Sequence, residues 1–427
     1  MDTPGHSSQG PPYRPRIIDA ALTDALRIAG AVVIEGARGV GKTMTAAHTA
    51  ASTVYLDDPT NQALALIGPE AILSGPSPRL LDEWQVAPHL WNAVRRAVDT
   101  SPSRGLFILT GSAVPPDDIT RHTGAGRFLR LRQRTMTAYE KYDMPTDGVS
   151  LRSLFEGDRP QAAPVAETNL GDVVDELLRP GFPGMAALTA EDGATLLAGY
   201  LDDTARIDVP RLAEIRHDPV VVTRILTGIA RSVASDVTYA TLASDARAVA
   251  PDIKATTVST YVNLLRRIYL VEEQQAWTPR LRSRARWRTA PKLHLADPAL
   301  AAAAIGAGRE ALLRDPTTLG VLFESAVHHD LTVYAATLRG DVRHYRDSNG
   351  KEIDAVITLP DGRWAAVEVK LGAAQLPAAV SSLDAAVGTI DTETVGAPAF
   401  RLVVTGSGPT LTTADGTVTC PLHQLRP

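Results

Sequence analysis

The sequence predicts an α/β chain of several domains: a parallel-sheet domain first, a helical middle, and a second α/β domain at the carboxy end. Three observations carry this. The apolar, β-branched run Ala31-Val32-Val33-Ile34 leads into a glycine-rich loop and then into Met44-Thr45-Ala46-Ala47-His48-Thr49-Ala50, which reads as a helix. Residues 172–232 carry helical periodicity, broken at the tight turn Arg179-Pro180-Gly181-Phe182-Pro183-Gly184. Between Val342 and Lys370, three strand-like runs are separated by Asn349-Gly350 and Asp361-Gly362, both hairpin-turn dipeptides.

Composition bounds the classes open to such a chain. At 427 residues it exceeds one ordinary core. Hydrophobic content of 44% with 21% charged residues is that of a globular protein, and no apolar run reaches bilayer length, so no membrane partner is expected. The start shows no basic, apolar, small-residue signal, and the single cysteine, Cys420, allows neither an internal disulfide nor a cysteine-based zinc cluster. Both fit a reducing cytoplasm. A net charge of −5 gives no global pull toward nucleic acid, so any such binding has to be local. Of 43 Lys plus Arg, only six are lysine: Lys42, Lys141, Lys254, Lys292, Lys351 and Lys370. A chain that prefers arginine so strongly keeps lysine where a compact ammonium is needed.

Met1 to Pro12, rich in Gly, Pro and Ser, reads as a loose tail. The loop after the first strand, Gly36-Ala37-Arg38-Gly39-Val40-Gly41-Lys42-Thr43, meets the phosphate-binding pattern G-x-x-x-x-G-K-[ST] at every fixed position. Its glycines let backbone N–H groups curl around phosphate oxygens at a helix start. Lys42 would reach the β- and γ-phosphates and the Thr43 hydroxyl would ligate Mg²⁺. Thr53-Val54-Tyr55-Leu56 reads as a second strand. Arg79-Leu80-Leu81-Asp82-Glu83 is a short strand ending in two carboxylates, with Asp82 suited to hold Mg²⁺ and Glu83 to orient or deprotonate water. The bland alternative is an acidic turn. Leu106-Phe107-Ile108-Leu109 runs into Thr110-Gly111-Ser112, where the hydroxyls of Thr110 and Ser112 are placed to sense the γ-phosphate or the lytic water, or to cap the turn. Arg127, behind Gly124-Ala125-Gly126, is a candidate arginine finger for its own or a neighbouring subunit, while Arg130 and Arg132 alternate with leucines as on a half-wet strand. No Asn-Lys-x-Asp guanine signature occurs, the nearest string being Glu140-Lys141-Tyr142-Asp143, so ATP is the expected nucleotide.

Residues 140–167, rich in Pro, Gly and Asp, read as a connection between domains. Tyr239 to Ala243 and Thr257 to Leu265 have the form of a helix-turn-helix, the second helix capped by Thr256-Thr257. Ile268 to Glu273 follows as a strand, which completes a winged-helix pattern, used elsewhere for DNA or for protein docking. Arg280, Arg282, Arg284, Arg286 and Arg288 recur at every second position, so an extended segment would line five guanidinium groups along one side. Contact with a nucleic-acid backbone and a solvated basic loop are the two readings.

In the carboxy region, Phe323 to Leu331 begins an amphipathic helix carrying Glu324. Val342 to Arg346, Glu352 to Ile357 and Trp364 to Lys370 are the three strands. Asp354 and the Glu368-x-Lys370 pair fall on adjacent strands, with Glu368 and Lys370 on one face. Glu324, Asp354 and Glu368 can hold Mg²⁺ or Mn²⁺, and Lys370 can position water for attack on a phosphodiester. His328 and His329, about 100° apart on a helix, suit the surface or an interface better than one ion.

Helix-Glu, strand-Asp, strand-Glu-x-Lys is the order seen in PD-(D/E)XK nucleases. With the phosphate loop, Leu81-Asp82-Glu83-Trp84-Gln85, Leu109-Thr110-Gly111-Ser112, Ala125-Gly126-Arg127, Tyr13-Arg14-Pro15-Arg16 and Gly181-Phe182-Pro183, the chain from Tyr13 to about Gly372 resembles prokaryotic AAA-type ATPases that end in a domain of unknown function with a nuclease-like core. Trp84 departs from that pattern, where a smaller aliphatic residue is expected. The resemblance implies an α/β P-loop parallel-sheet ATPase domain (13–145), a helical and winged-helix middle (146–300) and a restriction-endonuclease-like α/β carboxy-terminal domain (301–427). The expectation is an oligomeric ATPase coupled to a metal-dependent nuclease acting on nucleic acid, DNA before RNA. The alternative is a nucleotide-switched regulator that holds DNA without cutting it.

Overall fold

A computed structural model describes residues 13–113, 124–162, 168–212, 218–279 and 290–427. The described chain forms two compact units, one running to Gln133 and the other from Arg134 to Pro427.

The first unit is built on five parallel strands: β1 (Ala31–Glu35), β2 (Ser52–Tyr55), β3 (Arg79–Asp82), β4 (Phe107–Gly111) and β5 (Phe128–Arg132), in the spatial order β2-β3-β4-β1-β5. β1 is buried on both faces, as its unbroken apolar run requires. Alternation along the strands splits the core in two. Ala31, Val33, Leu81 and Leu109 pack with Trp84, Trp91 and Val94, whereas Val32, Ile34, Leu80 and Ile108 pack with Leu22, Leu26 and Ala46. Trp84, the departure from the family pattern, is core here, with its ring 4.9 Å from Trp91, and it leaves the neighbouring carboxylates in place.

The second unit begins earlier than the sequence suggests. Thr135 Oγ1 donates to Ala296 O (3.0 Å) and lies 3.0 Å from His329 Nε2, and the Ala138 N–H donates to Asp330 (2.9 Å), so the stretch after Gln133 is held by the carboxy-terminal elements. Residues 140–162 are likewise no loose connection: β6 (Val149–Ser150) pairs with the last strand of the chain, and helix Leu151–Glu156 follows it. Helices Leu170–Leu178, Ala190–Asp203 and Pro219–Arg231 fulfil the helical periodicity. Helices Tyr239–Ala246 and Ala255–Arg267 then lead into β7 (Val271–Gln274), antiparallel to β8 (Lys292–Leu295). The second of these helices starts ahead of Thr256-Thr257, which therefore sit inside its first turn. Arg280, Arg282, Arg284, Arg286 and Arg288 lie outside the described residues.

The long helix Pro316–Thr337 precedes β9 (Asp341–Arg346), β10 (Glu352–Thr358) and β11 (Trp364–Gly372), which are successive antiparallel neighbours. β12 (Arg401–Ser407) adds parallel to β11, β13 (Leu411–Thr412) and β14 (Val418–Pro421) complete a six-stranded sheet, and β15 (Leu425–Arg426) crosses to β6. Helix Leu376–Val387 packs over Val356, Ala366 and Val403 of this sheet. The pairing of β9 with β10 shifts register between Ile353 and Val356, so Asp354 sits in a β-bulge. Such an irregularity re-aims a side chain out of the regular ladder.

Candidate functional site

The phosphate loop joins β1 to helix Lys42–Thr49. Gly41 turns the chain with φ 94°, and a Cβ on Gly36 would stand 2.2 Å from the Gln133 carbonyl, so neither position accepts a side chain without a shift. Two outside side chains hold the loop through Val40 O: Arg16 donates at 2.9 Å and Gln133 Nε2 at 3.1 Å, the latter also donating to Thr45 Oγ1 at 3.0 Å. Arg16 belongs to the Tyr13-Arg14-Pro15-Arg16 string, and Tyr13 stacks on His48 with ring centroids 4.3 Å apart. Ala37 and Val40 are buried, whereas Arg38 and Gly39 are exposed at the loop's tip.

Lys42 is buried and donates to Gly36 O (2.9 Å) and Ala37 O (2.8 Å). Burial pulls its pKa down to about 8; Glu83 and Asp82 work against that, and the Arg132 charge adds to it. Phosphate oxygens offered in place of the two carbonyls would answer the same ammonium with full negative charge. Asp82, at the end of β3, accepts from Thr43 Oγ1 (2.8 Å) and from Thr110 Oγ1. A half-buried hydroxyl and a buried carboxylate in contact beside the loop fit Mg²⁺ as Thr43 and Asp82 ligands; the ion, when bound, supplies positive charge to the β- and γ-phosphate oxygens.

Glu83 takes a left-handed backbone, φ 56° and ψ 45°. For a residue with a Cβ this costs on the order of 1 kcal/mol, and it turns the carboxylate toward the end of β4. There Glu83 Oε2 accepts from Gln85 Nε2 and from Ser112 Oγ (3.4 Å), while its own N–H donates to Thr110 Oγ1 at 3.2 Å. A Cβ on Gly111 would lie 2.8 Å from Trp84 Nε1 and 2.9 Å from Gln85 Oε1, which explains the glycine between the two hydroxyl residues.

Arg127 does not meet this site within its own unit. It precedes β5, which runs parallel to β1 with Glu35 opposite Arg132. Arg127 therefore lies at the other end of the strand, about 17 Å away at the usual rise, and its guanidinium is paired with Asp99. The arginine at the loop's end of β5 is Arg132. Sequence reasoning saw Arg132 only as one tooth of a half-wet strand. Gln85 and Gln133 were also missed as contributors, although Gln85 lies two residues from Glu83 and Gln133 next to Arg132.

In the second unit, Glu324, Asp354, Glu368 and Lys370 do come together. Asp354 Oδ2 accepts from the Val369 N–H at 2.8 Å, and Lys370 Nζ donates to Glu368 Oε1 at 2.8 Å. Burial, followed by the Asp354 charge, pushes both Glu324 and Glu368 up to about 7. A further residue joins them from β8: Lys292 Nζ donates to Glu324 Oε1 at 2.8 Å with its side chain only 9% exposed. Burial disfavours its charge, but Glu324, Asp354 and Glu352 more than offset that and hold its pKa up. Among the described residues, no group of three or more His, Cys, Asp or Glu is placed to hold a metal ion. The expected Glu324–Asp354–Glu368 ligand set is therefore not assembled as one: each carboxylate has a lysine or a backbone N–H as its partner. A cleft of about 250 Å³, lined by Gly320, Glu324, Lys370 and Gln375, opens beside the cluster.

His328 and His329 are buried, not surface residues. His329 bridges Asp330 (2.8 Å) and Thr135 (3.0 Å), and His328 stacks on His294 with centroids 4.2 Å apart. His294 in turn lies 2.9 Å from Ser325 Oγ and 3.3 Å from Gln274 Oε1, and Gln274 Nε2 donates to Asp354 O at 2.8 Å. The β7–β8 pair is thereby wired to both the helix and the strand that carry the carboxylates.

Residues 29–141 match a family model described as an AAA domain, and residues 170–311 and 319–425 match two described as domains of unknown function, DUF8612 and DUF4143. The chain thus carries an AAA-type P-loop ATPase domain, followed by two regions for which the matching families assign no activity. Among solved structures it is similar to a Walker-type ATPase of Pyrococcus abyssi, at 14% identity over 67% of this chain and 94% of that one, with a TM-score of 0.41. It is also similar to the FIGL-1 AAA domain in complex with ADP, at 15% identity over 58% and 87% of the two chains and a TM-score of 0.24. Overlaps this shallow say nothing about function. No curated protein matches the chain.

Proposed function

We propose that the chain binds and hydrolyses ATP with Mg²⁺ and uses that cycle to engage nucleic acid, DNA before RNA, through its second unit. The observation that carries the first half is the joined pair of contacts beyond the phosphate loop: Thr43 and Thr110 on Asp82, Ser112 and Gln85 on Glu83. Glu83 accepts the proton of the attacking water as its oxygen approaches the γ-phosphorus, Lys42 takes the growing charge on the phosphate oxygens, and Ser112 fixes the carboxylate's direction. Support for the second half is the order helix, helix, β7, β8 ahead of the carboxylate sheet, together with five alternating arginines between β7 and β8. Arg127, exposed and far from its own loop, acts in trans within a homo-oligomer in this reading.

Metal-dependent cleavage is the second reading, favoured by the meeting of Glu324, Asp354, Glu368 and Lys370 in space. ATP turnover and DNA retention by the full chain test the proposal. Lys42→Ala is expected to abolish nucleotide binding. Glu83→Gln is expected to keep binding but to lower turnover by about 10² to 10⁴-fold. Unchanged turnover in Glu83→Gln sinks the assigned chemistry. Absence of salt-sensitive DNA binding with and without ATP sinks the nucleic-acid half. Magnesium-dependent cutting that vanishes in Asp354→Asn decides for cleavage.

A further inference from the structure

The carboxylate cluster is the place where the residues and the expected cation disagree most sharply. Three acids meet there, Glu324, Asp354 and Glu368, and two lysines, Lys292 and Lys370, lie among them. Only Lys370 was expected from the strand motif. Lys292 comes from a different element, β8, all four of whose residues are buried. A lysine is rarely buried unless its ammonium has a fixed partner, and here Glu324 provides one at 2.8 Å. The flanking residues hold the strand in place. Two positions on, His294 contacts Ser325 on the helix and Gln274 on β7, and Gln274 reaches the Asp354 carbonyl. Lys292 is thus a braced side chain, not a surface residue that swings in.

Charge bookkeeping gives this ammonium a role. Counted as ionised, three carboxylates and two ammoniums sum to −1 over these five residues. A divalent cation added to that sum would leave the group at +1, so with Lys292 in place the cluster offers no deficit of two charges for such an ion to fill. Without Lys292 the same group would carry −2, the charge that a divalent cation neutralises.

We propose that Lys292 is a built-in counter-ion of the Glu324–Asp354–Glu368 cluster, filling the role a divalent cation would have, so that the folded chain takes up no such ion there. This rests on reading the cluster as a cation-type site, and it favours a second unit that holds nucleic acid over one that cuts it. Lys292 is a positioning residue: it fixes Glu324 and decides whether the cluster is open to metal.

The test is Mn²⁺ binding to the full chain without nucleotide, followed by electron paramagnetic resonance, for wild type, Lys292→Met, Lys292→Gln and each of these combined with Asp354→Asn. Wild type is expected to bind no more Mn²⁺ than Asp354→Asn. Lys292→Met or Lys292→Gln is expected to gain one ion, at least tenfold tighter than any wild-type uptake, and to lose it again with Asp354→Asn. Near-ultraviolet circular dichroism and ATP turnover identify which variants remain folded. Asp354-dependent Mn²⁺ uptake by wild type overturns the proposal, as does the absence of any gain in both folded Lys292 variants. Wild-type DNA cleavage lost in Asp354→Asn overturns it too, while upholding the cleavage reading. A gain in the Lys292 variants with no DNA binding by wild type upholds the counter-ion and removes the nucleic-acid reading.

Discussion

Arginine could not stand where Lys42 does, because a planar fork does not fit between two loop carbonyls at 2.8 and 2.9 Å. Lys292 and Lys370 each make a single carboxylate contact at 2.8 Å, and the Lys141 ammonium meets Glu176 at 2.8 Å. Lys254 and Lys351 alone are exposed. Lysine scarcity was therefore legible as a sign of tight ammonium sites, but not of which sites are catalytic, because a buried ion pair and a phosphate contact ask for the same group. Arg132 and Arg127 separate by position. Arg132→Ala is expected to lower ATP turnover tenfold or more at every protein concentration, whereas Arg127→Ala is expected to act only where the chain is oligomeric. Turnover measured across a dilution series distinguishes the two, and equal, concentration-independent losses would refute the assignment. Gly111→Ala is expected to cost about 1–3 kcal/mol in urea unfolding, since its methyl meets Trp84 and Gln85.

Strands and helices followed the sequence wherever one strong period ran unopposed. β1, β9, β10 and β11 lie within a residue or two of their apolar runs, because a sheet buried on one or both faces leaves little freedom of register. Helix Pro316–Thr337 misled at His328 and His329, since a helix packed on several sides buries residues that a single amphipathic stripe would expose. That burial has a pH consequence. His328 is lowered to about 3, by burial first, with Arg134, His329 and Lys292 repelling its proton and Glu272 attracting it; His294 faces it across the stack. A base whose folded pKa is depressed contributes stability that is present above its unfolded value of 6.5 and is lost as pH falls toward 3. Between pH 6.5 and 5 this amounts to about 2 kcal/mol. His328→Phe, which keeps a ring against His294, is expected to flatten the fall in melting temperature of the second unit over that window. An unchanged slope would show that folding does not lower the His328 pKa.

At the scale of the molecule, the phosphate-binding domain was readable, and the division between Gln133 and Arg134 was not. A glycine loop between strand and helix declares itself within some twenty residues, whereas the limit of the first unit depends on contacts from Thr135 and Ala138 to His329 and Asp330, nearly two hundred positions away. Long-range pairing of this kind has no local signature. It makes a prediction at the same scale: removing residues 422–427 is expected to destabilise the second unit while sparing nucleotide binding by the first. Tryptic digestion with and without ATP would reveal it, and a truncated chain as resistant as the full one would contradict it.

The pairing of Leu425–Arg426 with Val149–Ser150 also sets a clock on synthesis. Gly148 approaches the Gln424 backbone so closely that a Cβ would lie 2.4 Å from its carbonyl, and Ser150 Oγ donates to Pro427 O at 2.7 Å. At roughly 5–20 residues per second on the ribosome, the segment around Gly148 waits tens of seconds for its partner. The first unit, complete in sequence by Gln133, can close during that interval, whereas the pairing of Val149–Ser150 in the second has to wait until Leu425–Arg426 have been made.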